Sequence, residues 1–207
     1  MMKLFLTLCF ACFATTVSAQ ELAPDALIKS MSDEVIGIIK QDKDIKAGNR
    51  TKINALVEAK VLPHFNFSRM TALAMGRNWR KADAEQQKRL ISEFRTLLVR
   101  TYSGALATYK NEVIEFRPLH AAAGDSDVTV RTQAKRPGSE PIDIDYSMEK
   151  TLSGWKVYDV VVAGVSLVTN YRDSFNAEIR DGGVDGLIKV LASKNRTQDV
   201  QSSSASR

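Results

Sequence analysis

Cysteine is the first scarcity: the chain has two, Cys9 and Cys12, and both fall within its first nineteen residues. Beyond them no thiol remains, which excludes a disulfide framework, a thiolate metal site and a cysteine nucleophile from the rest of the protein. Histidine is as sparse. His64 and His120 stand far apart without a helix-spaced partner, so no histidine-ligated metal is expected. There is no Lys/Arg block to hold nucleic acid, and Asp181-Gly182-Gly183 lacks the Lys-Ser/Thr that would make it a phosphate loop. The formal net charge of +5 is spread along the chain. Such an excess supports at most a weak attraction to anionic head groups or an acidic partner.

What is present begins with a leader. Residues 1–19 carry one Lys, an apolar run from Leu4 to Val17 and the small-residue ending Val17-Ser18-Ala19, the pattern of a secretory signal peptide cleaved after Ala19. The run is too short to cross roughly 30 Å of hydrocarbon, and Cys12 follows Cys9-Phe10-Ala11 rather than a Leu-led lipoprotein tripeptide. An exported, thiol-free chain of about 188 residues fits the periplasm, and it must fold as one domain on an ordinary apolar core. We assign residues 20–195 to that domain. Residues 196–207, Ser-rich and nearly devoid of apolar side chains, read as a disordered polar tail.

The first half of the domain has helical period. Leu27, Met31, Val35 and Ile38 form a stripe behind Pro24, and Ile53, Leu56, Val57 and Val61 form a second over 50–61, stopped by Pro63. A short helix capped by Asn66 or Ser68 ends at Gly76. The longest starts at Asp83 with Gln86 completing a capping box, and runs some 25 residues past Leu90, Phe94, Leu97, Thr101 and Ala105. The second half has strand period over 113–117, 128–134, 142–150 and 155–163. Turn clusters at 123–125, 136–139 and 152–154 separate these runs, so hairpins and an antiparallel sheet of about four strands are expected. Helices grouped before strands predict an α+β fold. A final helix follows Ser166 with Leu167, Tyr171, Phe175 and Ile179 at four-residue spacing, and Gly182-Gly183 separates it from a last short one around Leu187, Ile188 and Leu191.

The last strand is unusual. Simple alternation puts Trp155, Val157, Asp159, Val161 and Ala163 on one face and Lys156, Tyr158, Val160 and Val162 on the other, so both faces are apolar beyond Lys156 except at Asp159. An antiparallel sheet normally wets one face, and this pattern requires cover on both. Asp159 is the best catalytic candidate. A carboxylate among valines has a raised pKa and can act as a general base, although a lone carboxylate without a second acid, base or oxyanion donor reads first as an anchor facing a helix N-terminus or an arginine. Gly164-Val165-Ser166 is not a nucleophile elbow, because the second glycine is replaced by Val168. Arg80 beside Trp79, and Arg172 beside Tyr171, are head-group candidates, since a guanidinium binds phosphate bidentately and an aromatic suits a wet boundary.

These residues carry a family resemblance. His64-Phe65-Asn66-Phe67, then Leu73, Ala74, Gly76 and Trp79, then Gln86, Phe94 and Tyr102 come first. Trp155-Lys156-Val157-Tyr158-Asp159-Val160, Gly164-Val165-Ser166-Leu167-Val168 and Asn170-Tyr171-Arg172 follow. Together they resemble the MlaC, or toluene-tolerance auxiliary, family over Asp25 to Lys194. The resemblance implies a soluble periplasmic carrier with a glycerophospholipid as cargo, its tails inside and its head group outside. The implied partners are an outer-membrane lipoprotein–porin complex and an inner-membrane ABC transporter with an MCE-domain subunit. The implied role is lipid transport that maintains outer-membrane asymmetry, with no cofactor, no metal, no catalysis and a monomeric state.

On that reading the fold is a curved antiparallel sheet wrapped by helices around an elongated apolar cavity. Its expected lining from the sheet side is Tyr109, Phe116, Met148, Trp155, Val157 and Val161. From the helices it is Leu73, Phe94, Leu98, Tyr102, Leu167 and Tyr171. The competing expectation is a small α+β enzyme with a cone-shaped pocket and Asp159 as general base.

Overall fold

A computed structural model describes residues 22–204 apart from Lys110 and Ala123. The leader, Ala123 of the first turn cluster and residues 205–207 lie outside the described residues.

Helices precede strands, as the change of period requires. Pro24 opens α1 (Pro24–Gln41), where its missing N–H is no loss, and Ile28, Met31, Val35 and Ile39 form the buried stripe. Asp42 caps the single turn α2 (Lys43–Lys46), and Asn49 caps α3 (Arg50–Leu56). The expected helix over 50–61 then changes form. Val57–Val61 is a π-helical turn, and Leu62–His64 a tighter 3-10 turn closed by Pro63. Asn66 caps α4 (Phe67–Met75), which ends at Gly76 with φ 55°. Asp83 and Gln86 exchange the two hydrogen bonds of a capping box at the start of α5 (Ala84–Tyr102). The expected 25-residue helix is broken at Ser103, where α6 (Gly104–Ala107) begins.

The sheet has five strands in the order β1 (Val113–Phe116), β2 (Asp127–Lys135), β3 (Ile142–Thr151), β4 (Gly154–Val162) and β5 (Val165–Ser166), each antiparallel to the last. Sequence reasoning missed β5, a two-residue edge. It follows the turn Ala163-Gly164, both at positive φ (48° and 81°), as a two-residue hairpin demands. Thr169–Tyr171 is a 3-10 turn leading into α7 (Arg172–Ser204), broken at Gly183 where φ is 66°. Residues 196–204 continue this helix. Asn195 ties that end to α5 by donating to Glu93, while Arg100 donates to the Asn195 carbonyl.

Three apolar clusters hold these elements. Met70, Ala74 and Met75 of α4, Leu90, Phe94 and Leu97 of α5, and Phe175, Leu187, Ile188 and Leu191 of α7 form the helical core. Phe94 sits edge-on to both Tyr171 and Phe175, with ring centroids 5.1 Å apart in each pair. Ile28 and Met31 of α1 cover Val128, Val130, Met148 and Val157 on one face of the sheet. The other half of α1, Val35 and Ile39, packs on Ile45, Ile53 and Leu56. The opposite sheet face is polar, with Lys135–Glu115 at 2.6 Å and Gln133–Asp143 at 3.0 Å. The expectation of an apolar covering on both faces therefore fails, and β4 shows why. Met148 pairs with Val157 and Ser147 with Asp159, so Tyr158 is an extra residue, a β-bulge. Beyond it the alternation inverts, and Val160 and Val162 join Val157 on the α1 side.

Candidate functional site

Between the helical core and the cluster at the far end of α1 lies an apolar cavity of about 190 Å³. Its walls come from four places. Val57, Val61 and Leu62 belong to the π turn and its continuation; Phe65, Phe67 and Met70 to the entry and first turns of α4. Leu98, Val99, Tyr102, Ser103 and Leu106 form one face of α5 and α6, and Val160 and Leu167 close the sheet side. The α5 spacing is that of a helical stripe, adjoining the Leu90–Phe94–Leu97 stripe that packs on α7. One amphipathic helix thus serves the core with one stripe and the cavity with the next.

Two hydroxyls are the polar groups on this lining, and each is committed. Ser103 donates to the Asn54 side chain at 3.0 Å. The Tyr102 hydroxyl is hydrogen-bonded to Tyr171, and burial first, with that neighbour second, pushes its phenol up to about 12. A lining whose described side chains offer no free donor or acceptor recognises shape and apolar surface.

Of the expected lining, the structure brings Leu98, Tyr102 and Leu167 together on the cavity wall. Phe94, Leu73 and Tyr171 belong to the helical core, and Phe116, Met148, Trp155 and Val157 to the contact of α1 with the sheet. Tyr109 packs on the third cluster. Val161 is placed on the other sheet face, opposite Asp145 and paired with Ser166, because the bulge at Tyr158 shifts its parity. The head-group candidates also separate. Arg172 is held by the Leu73 carbonyl at 2.9 and 3.2 Å, and Arg80 is exposed on the 3-10 turn Gly76–Lys81. Val57, Val61, Leu62, Phe65, Phe67, Met70, Val99, Ser103, Leu106 and Val160 are cavity residues that sequence reasoning did not name. The signal was helical spacing: Val99 lies three residues before Tyr102, Leu106 four residues after it, and Ser103 four residues after Val99.

Asp159 is buried but is not part of this lining. Its carboxylate accepts from the Val160 N–H at 2.8 Å and from the Ser166 hydroxyl at 2.6 Å. Burial raises its pKa, and those donors oppose the rise. A carboxylate with both oxygens engaged has the geometry of an anchor, the other use open to it from sequence. His64, whose pKa burial lowers, and exposed His120 stay apart, and no cluster able to hold a metal occurs among the described residues.

Beside the cavity, α4 is clasped to the sheet. Arg69 reaches Glu149 at 2.8 Å and Asp127 at 2.7 Å, with its guanidinium 3.5 Å above the Tyr158 ring centroid. The Asn66 side chain donates to Glu149, and its N–H to the Val157 carbonyl.

A cavity walled by two helices, a π turn and a bulged strand can be compared with known proteins. The MlaC protein family matches residues 29–193. The chain belongs to the MlaC family. It is 25% identical over 184 residues to the intermembrane phospholipid transport system binding protein MlaC of Haemophilus influenzae, covering 87% of this chain and 86% of that one. It is 26% identical over 192 residues to the toluene tolerance protein ttg2D of Pseudomonas putida, covering 89% and 87%. Among solved structures it resembles the phospholipid-binding protein of Ralstonia solanacearum in complex with a phospholipid, with a TM-score of 0.80 and 40% identity. That match covers 86% of this chain and 99% of the other.

Proposed function

We propose that this MlaC-family chain is a phospholipid carrier of the periplasm, exported by a signal peptide cleaved after Ala19. The observation that carries the reading is the apolar cavity between α5, α4 and the π turn, in a chain 40% identical to a protein in complex with a phospholipid. Transfer of acyl chains from water to such a lining is worth roughly 0.8 kcal/mol per methylene, on the order of 20 kcal/mol as an upper bound for two tails. That much attraction retains a lipid in water. Release then needs a partner that opens the protein or offers an equally apolar path, so handover occurs by contact. The partners proposed are the outer-membrane lipoprotein–porin complex and the inner-membrane MCE-domain ABC transporter. The role proposed is carriage of phospholipid between the outer and inner membranes, which maintains outer-membrane asymmetry. No helix among the described residues is long and apolar enough to cross a membrane.

The cavity volume of about 190 Å³ lies below the roughly 300–1,000 Å³ of small-molecule pockets. Acyl tails must therefore part its walls. The wall suited to move is the π turn Val57–Val61, whose widened backbone joins the α1–α3 layer to α4. Asp159 accepts from Ser166 and Val160 and is not on the lining, which supports the carrier reading over one with this carboxylate as base.

Native mass spectrometry of gently purified protein, followed by organic extraction, tests the reading. Stoichiometric phospholipid is expected, and protein that carries none sinks it.

A further inference from the structure

Neither arginine chosen from sequence stands at the cavity, but a third lies beside one of its walls. Arg95 lies on α5 three and four residues before Leu98 and Val99, so it continues the cavity stripe one turn toward the N-terminus. Its guanidinium carbon is 5.7 Å from the centroid of Phe67, a cavity wall on α4. Its ion-pair partner is Glu58, which follows Val57, a cavity wall on the π turn. The Arg95 side chain is 36% exposed and that of Glu58 49%. The pair thus sits where three apolar walls meet water.

We propose that Arg95 binds the phosphodiester of the bound lipid at the cavity mouth, with Glu58 as the internal acceptor that the phosphate displaces. The inference rests on the carrier reading and adds to it the group that receives the head. The chemistry fits on three counts. A guanidinium offers a planar fork that a phosphate engages bidentately, and its arm is long enough to keep one end in water while the group stays over the Phe67 ring. Tails lying along Leu98, Val99 and Tyr102 place the polar end of an amphiphile one helical turn away, at Arg95. The same exchange has a mechanical effect. Glu58 and Arg95 bridge the π turn to α5, across the cavity, and a phosphate that takes the guanidinium frees that wall to move outward.

The shared chemistry, a phosphate oxyanion, could come from a lipid or from free phosphate, so the test separates the two. Wild type, Arg95→Gln, Arg95→Lys and Glu58→Gln are delipidated and titrated calorimetrically with dodecylphosphocholine and with dodecyl maltoside. These probes share a tail, and only the first has a phosphate. Arg95→Gln is expected to weaken dodecylphosphocholine about tenfold and leave the maltoside unchanged, as the loss of a charged hydrogen bond predicts. Arg95→Lys should fall between, and Glu58→Gln should bind the phosphocholine more tightly. If Arg95→Gln weakens both probes alike or neither, the head-group assignment is overturned while the carrier reading stands. If inorganic phosphate binds wild type as tightly as dodecylphosphocholine, the site serves a free anion and the assignment fails. If wild type binds neither amphiphile, both readings fall together.

Discussion

Ser166 donates its hydroxyl to Asp159 Oδ2 at 2.6 Å while its own oxygen accepts the N–H groups of Val168 and Thr169 at 3.2 and 2.9 Å. One serine thereby satisfies a buried carboxylate and two N–H groups at the start of the 3-10 turn that carries the chain from β5 into α7.

A pH dependence of known sign follows. Burial raises the Asp159 pKa above its ordinary 3.8, so the folded form holds the proton more tightly than the unfolded chain. The stability linked to that proton is fully present below about pH 4 and is lost as pH rises through the folded value. The urea midpoint of wild type minus that of Asp159→Asn should therefore shrink as pH is raised from acid to neutral. A difference that grows over that range contradicts the burial assigned to this carboxylate.

The bulge at Tyr158 makes neighbours behave oppositely. Val160 faces the cavity, whereas Val161 pairs across from Asp145 on the polar face. Val160→Arg should remove most co-purifying lipid by placing an unpaired charge on the wall, and Val161→Arg should keep it. Extraction and phosphorus analysis of the two variants decides the parity, and the reverse result would return the cavity to the other side of β4.

That parity also marks where sequence reading stopped. The caps at Asn66 and Asp83, the exit at Gly76 and the order of helices and strands are local chemistry, and each was legible. A single inserted residue in β4 is not, because Tyr158 has the strand propensity of its neighbours; only its pairing with β3 reveals it. The apparent excess of apolar residues on both faces was largely one face seen through a bulge. The π turn was hidden for a similar reason, since Val57 and Val61 at four-residue spacing read as ordinary helix. The helix over 196–204 was missed because composition reports a segment's own burial, whereas Asn195 and Arg100 hold its start against α5.

Two tyrosines report the interior directly. Burial pushes the phenols of Tyr102 and Tyr146 up to about 12. In a near-ultraviolet titration these two should ionise late, near pH 12, and stability should fall as pH rises from about 10, where the unfolded phenols lose their protons. Tyr102→Phe should delete one late step and keep the cavity wall. If no phenol of folded protein ionises as late as about pH 12, neither ring is buried as described.

Arg69 joins α4, which bears Phe67 and Met70 of the cavity, to β2, β3 and β4 through Asp127, Glu149 and the Tyr158 ring. The Tyr158 hydroxyl donates to Asp127 at 2.6 Å, so the network closes on itself. Arg69→Met keeps the stem's packing but leaves Glu149, with 19% of its side chain exposed, to Asn66 alone. The loss should be about 2 kcal/mol in denaturant unfolding, since charged hydrogen bonds run to roughly 1.5–3 kcal/mol and partial exposure trims them. Arg69→Lys should recover less than half, because an ammonium lacks both the fork and the flat face that stacks on Tyr158. Because the clasp fixes one cavity wall, hydrogen exchange of the α4 amides should quicken in both variants and loaded lipid should leave faster. Unchanged exchange in α4, alongside a full stability loss, would place the energy elsewhere in the network and free α4 from the role of a pinned wall.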